Sequence, residues 1–177
     1  MRKLFIVVLL LSVVVLPVSG QKIDFSQKLS PLDWKIEKRA YLLPEDERLA
    51  WSFSKANIIE KKNKWSKLDY CNCSEKNDTI TIWISYRSEG GIGVSLKVYK
   101  DHFTSSFVHY SDIAEFANEQ YEVIYRTSKT RLNINYINLQ NEKGIVGYID
   151  LKSKPIKTIN RKVFEYQGKF QCIIKTV

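Results

Sequence analysis

Residues 79–86 read TITIWISY, and their reading decides the fold class. Ile80, Ile82 and Ile84 occupy one side of a two-residue alternation, while Thr81, Trp83 and Ser85 occupy the other. β-Branched and aromatic residues fill the run, so its period specifies a strand with an apolar face. Trp83 lies opposite the isoleucines. One of the two faces is therefore less buried or meets something else, which makes Trp83 a candidate ligand-facing residue; the plainer alternative is a core or cross-strand aromatic.

The same alternation repeats toward the C-terminus in IGVSLKVY (92–99), FTSSFVHY (103–110), YEVIYRT (121–127), RLNINYINL (131–139), GIVGYIDL (144–151), KVFEYQ (162–167) and KFQCIIK (169–175). Short breakers separate the runs: Ser88–Gly91, Ser128-Lys129, Asn141–Gly144 and Gln167-Gly168. Short alternating strands at close spacing predict a mainly β protein built as an antiparallel β-sandwich, Ig-like or related, with a small β-barrel as the alternative. At most one or two short helices are expected. One is at 44–50, where Pro44 precedes three acids, and a helical turn is expected at 111–117. Strands are expected at 51–60 and, from a short alternation, at 33–38; the rest of 21–43 is mixed.

The start of the chain speaks to compartment. MRKLFIVVLLLSVVVLPVSG has Arg2 and Lys3, an apolar core from Leu4 to Leu16, Pro17, then small residues ending at Gly20. That pattern predicts a signal peptide over 1–20, and its core is shorter than the about 20 apolar residues of a spanning helix. Residues 21–177 then form a single domain, secreted or periplasmic, with no transmembrane segment after cleavage. Losing Arg2 and Lys3 lowers the formal net charge from +9 to +7. An exported basic chain points to an anionic envelope surface, a glycan or a protein as partner, and away from nucleic acid. Lys61, Lys62, Lys64 and Lys67 form one cluster; Lys152, Lys154, Lys157, Arg161 and Lys162 form the other, a candidate anion patch. Neither has the aromatic interleaving of a nucleic-acid groove.

Three cysteines exist, Cys71, Cys73 and Cys172. Export favours oxidation, and a bond between Cys71 and Cys73 would close a strained small ring. One disulfide is expected, from Cys172 to either Cys71 or Cys73, with one thiol left over. Two sequons, Asn72-Cys73-Ser74 and Asn77-Asp78-Thr79, overlap this stretch. The C-x-C spacing argues against a structural zinc site, so neither a metal nor another cofactor is expected.

Whether the chain is an enzyme stays open at this point, with a non-enzyme favoured. His102 and His109 are the only histidines, and their odd separation puts them on opposite faces of one strand. No G-x-S-x-G or H-E-x-x-H motif accompanies them. They stay candidate ligand-facing residues. TSKTRLNINYINLQNEKGIVGYIDLKS (127–153) and VFEYQGKFQCIIK (163–175) resemble small secreted β-rich proteins of Bacteroidota, which end in a G-x-I-D strand and a Y-x-G-x-F hairpin. The resemblance implies an envelope location, no particular activity and sequons without sugar. The reading favoured by the sequence is an exported, non-enzymatic binding or interaction module. Its alternatives are a lipocalin-like carrier of a small apolar ligand and a small secreted hydrolase built on the histidines.

Overall fold

The computed structural model describes residues 20–33, 44, 50, 52–63, 66–86, 90–111, 122–139, 141–155 and 162–177. The segment 1–19, most of the expected helix at 44–50, most of the expected strand at 33–38, and the expected helical turn at 111–117 beyond Ser111 lie outside the described residues. So do Trp34, Trp51, Trp65, Lys64, Lys157 and Arg161.

Ten strands follow in order: β1 (Gln21–Lys22), β2 (Lys55–Glu60), β3 (Lys67–Leu68), β4 (Tyr70–Lys76), β5 (Thr79–Ser85), β6 (Gly90–Val98), β7 (His102–Ser111), β8 (Glu122–Leu139), β9 (Glu142–Ser153) and β10 (Glu165–Thr176). The expectation of a mainly β chain holds. The two-sheet sandwich does not form: β4 to β10 make a seven-stranded meander that closes on itself as a barrel. An odd number of up-and-down strands leaves the first and last running the same way, so the closing pair must be parallel. It is: β10 pairs β4 in parallel through Ile174↔Cys73, Lys175↔Ser74 and Thr176↔Glu75.

The physical reason for the difference lies in two expected breakers. Ser128-Lys129 is a bulge inside β8, where the register slips between Thr127 and Lys129. The Ser128 hydroxyl donates to the carbonyls of Lys152 and Ser153 at 3.2 and 3.0 Å, satisfying ladder groups that the bulge disturbs. Gln167-Gly168 likewise lies within β10, with φ of Gly168 at +152°. A Cβ there would overlap the Asn57 carbonyl of β2, so glycine permits both the bend and the close approach. These residues curve long strands instead of ending short ones, and curved strands close a barrel.

The barrel forks twice, and a short strand fills each fork. At one end, β10 pairs β2 over Tyr166–Gln171 before it reaches β4; β2 in turn pairs β3, which runs on into β4 past Asp69. At the other end, β8 leaves β7 after Arg126. There β1 pairs the start of β7, and Asp24 bridges β8, donating its N–H to Leu132 at 3.0 Å. Ile23 enters the core through this gap. Residues 21–24 have no strand period of their own to read because they serve as a filler.

Inward positions fill the barrel with Ile58, Leu68, Ile82, Ile84, Leu96, Phe103, Phe107, Leu132, Ile134, Tyr166 and Phe170, all under 2% exposed. A second cluster lies outside the wall, where Leu29, Ala50 and Phe53 cover Val146 and Ile173. Ala50, Ser52 and Phe53 have helical backbone, so the strand expected over 51–60 begins only at Lys55. A three-residue step puts Ala50 and Phe53 on one helical face, and both are buried against the barrel wall.

Candidate functional site

Short turns gather at one end of the barrel. Asn77 and Asp78, at φ 49° and 58°, make the two-residue β4–β5 turn. Residues 99–101 join β6 to β7, and Asn141, at φ 71°, lies just before β9. These turns ring a hollow of about 400 Å³, which falls in the size range of small-molecule sites.

The floor comes from the core alternation. Ile80 of β5, Val98 of β6 and Ile174 of β10 are the last inward apolar positions of their strands, at 6%, 1% and 7% exposure. On β8 the alternation Leu132, Ile134, Tyr136 carries on inward, yet Tyr136 is 53% exposed. A core-facing ring thus stands half exposed at the mouth. β4 continues Cys71, Cys73 with Glu75, and β9 sets Lys143 two residues before Ile145, so a carboxylate and an ammonium group rise from inward positions at the rim. Burial, and then the negative charge of Glu75, raise the Tyr136 hydroxyl above its ordinary range and keep it neutral. The hollow can take an apolar or aromatic body below and a charged head above.

Trp83 points out of the barrel wall, as its place opposite the isoleucines required. Strand register aligns Asn72, Trp83, Ser95, Ser106 and Arg126 in one row across β4 to β8. The indole lies against Gly93, where a Cβ would approach its ring at 3.0 Å, and meets Tyr110 edge-on with centroids 5.5 Å apart. A depression of about 360 Å³ beside it is lined by Ser95, Thr104, Ser106, Val108 and the exposed Ile124.

The histidines do not converge. His102 opens β7, its Nδ1–H donates to the Asp101 carboxylate at 2.8 Å, and its ring stacks on Tyr99 with centroids 4.6 Å apart. His109 lies seven positions along the same strand. One lysine of each basic cluster, Lys61 and Lys152, meets an acid on the outer wall where β9 and β10 pair beside β2. Lys61 reaches Asp150 at 2.7 Å, and Lys152 reaches Glu165 at 2.9 Å. Lys162 sits 4.6 Å over the Phe164 ring and Lys154 is exposed. The hydrogen bond that Lys61 donates to Asp150 lifts its ammonium above the ordinary range. Much of the patch is thus committed to holding strands together.

Of the two pairings left open, Cys73 bonds Cys172 and Cys71 is a buried free thiol. The bond ties β4 to β10 at the parallel seam, which has three residue pairs. Asn72 and Asn77 are both exposed, the first on the outer wall and the second in its turn.

One polar group escaped the sequence reading. At the end opposite the mouth, Ser66 bridges Tyr86 and Tyr166 by hydroxyl contacts of 2.6 and 3.0 Å, and Glu60 is buried beside them at 3% exposure. Burial pushes the Tyr166 hydroxyl far above its usual range. The signal was available: Glu60 continues the inward alternation Ala56, Ile58, where a charge is out of place. Glu75 and Tyr136 were missed as well, since each ends an alternation whose depth in the barrel the sequence does not give.

Searches against protein-family models, curated proteins and solved structures found no match to this chain. Among the described residues, no helix is long and apolar enough to cross a membrane.

Proposed function

We propose that the chain is an exported binding barrel that takes a small amphiphilic molecule in its mouth. The observation that carries this is Tyr136: an aromatic ring on a core-facing position, half exposed above a hollow with an apolar floor. The ligand sets its apolar body on Ile80, Val98, Ile174 and Tyr136, and its charged head meets Glu75 or Lys143. Large rings fill the interior below, so this is a mouth site and not the deep cavity of a lipocalin-like carrier. Titration with 8-anilinonaphthalene-1-sulfonate tests the reading. One saturable site is expected, lost in Tyr136→Ala while the variant still unfolds cooperatively with a modestly lowered midpoint. Equal dye binding by the variant contradicts it.

A second reading rests on the Trp83 row. A flat indole flanked by hydroxyl and amide groups suits the C–H face of a sugar ring, and the row spans about 19 Å at about 4.8 Å per strand. Under this reading the partner is a glycan of the envelope or extracellular space. Trp83→Ala then abolishes retention on an immobilised polysaccharide without touching the mouth site; unchanged retention assigns Trp83 to packing alone.

A further inference from the structure

Three sulfurs meet inside the seam. Cys71 and Cys73 stand two residues apart on β4 and face the interior together, and Cys172 faces them from β10; all three are fully buried. Their sulfur atoms lie within 4.8 Å of one another. The bond joins Cys73 to Cys172, whose Cα atoms are 5.8 Å apart, and Cys71 keeps its thiol.

Register brings Cys172 close to both cysteines of β4. The parallel ladder sets Ile174 beside Cys73. Two residues back along both strands, the same register sets Cys172 beside Cys71. The ladder stops short of that pair because β2 has entered the sheet, with Lys55 opposite Gln171. The Cys172 sulfur is within 4.8 Å of both β4 sulfurs, so either can reach it.

We propose that Cys71 and Cys73 share Cys172 by thiol–disulfide exchange within the folded barrel. Cys71 gives up its proton, and its sulfur attacks Cys172 Sγ. The Cys71–Cys172 bond forms as the Cys73–Cys172 bond breaks, and Cys73 leaves as a thiolate that takes up the proton. One disulfide and one thiol exist before and after, so no oxidant or reductant is consumed. Burial raises the Cys71 thiol well above its ordinary range, so thiolate is scarce and the step is slow. Each exchange moves the crosslink two residues along β4, about 7 Å. The bond then lies farther from Glu75 and the mouth. None of this depends on what the mouth binds.

Disulfide mapping tests the proposal on the oxidised full-length mature protein. Two samples, one oxidised rapidly during refolding and one taken from slow secretion, are held folded and quenched in acid at intervals. Their free thiol is alkylated with N-ethylmaleimide and located by fragmentation mass spectrometry between Cys71 and Cys73. The proposal expects label on both residues, in a ratio that converges to one value from the two starting samples. Label on a single cysteine throughout, or two ratios that never converge, overturns it. Cys73→Ser gives a second readout: no free thiol is expected, because Cys71 takes over Cys172. A folded variant with two free thiols overturns the proposal; the wild-type mapping decides the matter even if this variant fails to fold.

Discussion

Tyr136 shows how one residue can be read two ways from the same alternation. Its place after Leu132 and Ile134 marks a core position, but the strand runs out of barrel before it runs out of pattern. Truncating it removes the buried half of the ring, so Tyr136→Ala is expected to cost about 1 to 2 kcal/mol of unfolding free energy, too little to unfold the barrel, while removing the dye site. Gly168 is the opposite case. Its φ of +152° and the Asn57 carbonyl against it leave no room for a methyl group. Gly168→Ala is expected to cost about 2 kcal/mol or more in urea unfolding, through backbone strain and displacement of β2. A loss under about 0.5 kcal/mol contradicts the close approach.

The seam between β4 and β10 is the weak element. It has three pairs, runs parallel and borders a fork, whereas β8 and β9 pair along twelve positions. The disulfide reinforces that place, closing a loop of 99 residues. Cys172→Ala removes the bond in either arrangement and is expected to lower stability by up to about 4 to 5 kcal/mol in the loop-entropy account. A denaturation midpoint unmoved by the substitution would show that the seam does not need it.

The element scale also explains what was legible. TITIWISY and its successors gave strand identity, inward face and the outward Trp83, because a period of two records which side of a sheet each residue occupies. The period does not record how far a sheet bends. Ser128 and Gly168 look like turn residues and act as bends, so the number and length of strands came out wrong, and with them the sandwich. The mouth was hidden for a related reason: Glu75, Tyr136 and Lys143 come together only once three hairpin turns share one end. Cys172 could be tied to the CNC stretch by elimination, but the choice of partner turns on a register set by where β2 enters.

At the scale of the whole molecule, two kinds of group are expected to bound a plateau of stability against pH. Asp24, held below the usual carboxylate range by hydrogen bonds from Ser26 and then by Arg131, bolts the N-terminal segment to β8. Glu165 is lowered by its hydrogen bond to Lys152 and links β10 to β9. Both contribute stability that is present above the ordinary carboxylate range and lost as pH falls through their lowered values, below about 4. Tyr166 and Cys71 have raised values in the fold. Their contribution is complete below the ordinary thiol and phenol range and disappears as pH rises beyond it, above about 9 to 10. Thermal unfolding across pH is expected to show a plateau between these limits with falls on both sides. A midpoint that keeps rising past pH 10 would contradict the burial of Tyr166.

The claim on which the functional account turns is that the barrel mouth, and not the wall, receives the ligand. Amide shift mapping of the isotopically labelled protein during titration with 8-anilinonaphthalene-1-sulfonate tests it most directly. The account predicts saturable shifts at Glu75, Ile80, Val98, Tyr136, Lys143 and Ile174, with Trp83, Ser95 and Ser106 unmoved. Shifts confined to the Trp83 row, or no saturable shift at all, would contradict it.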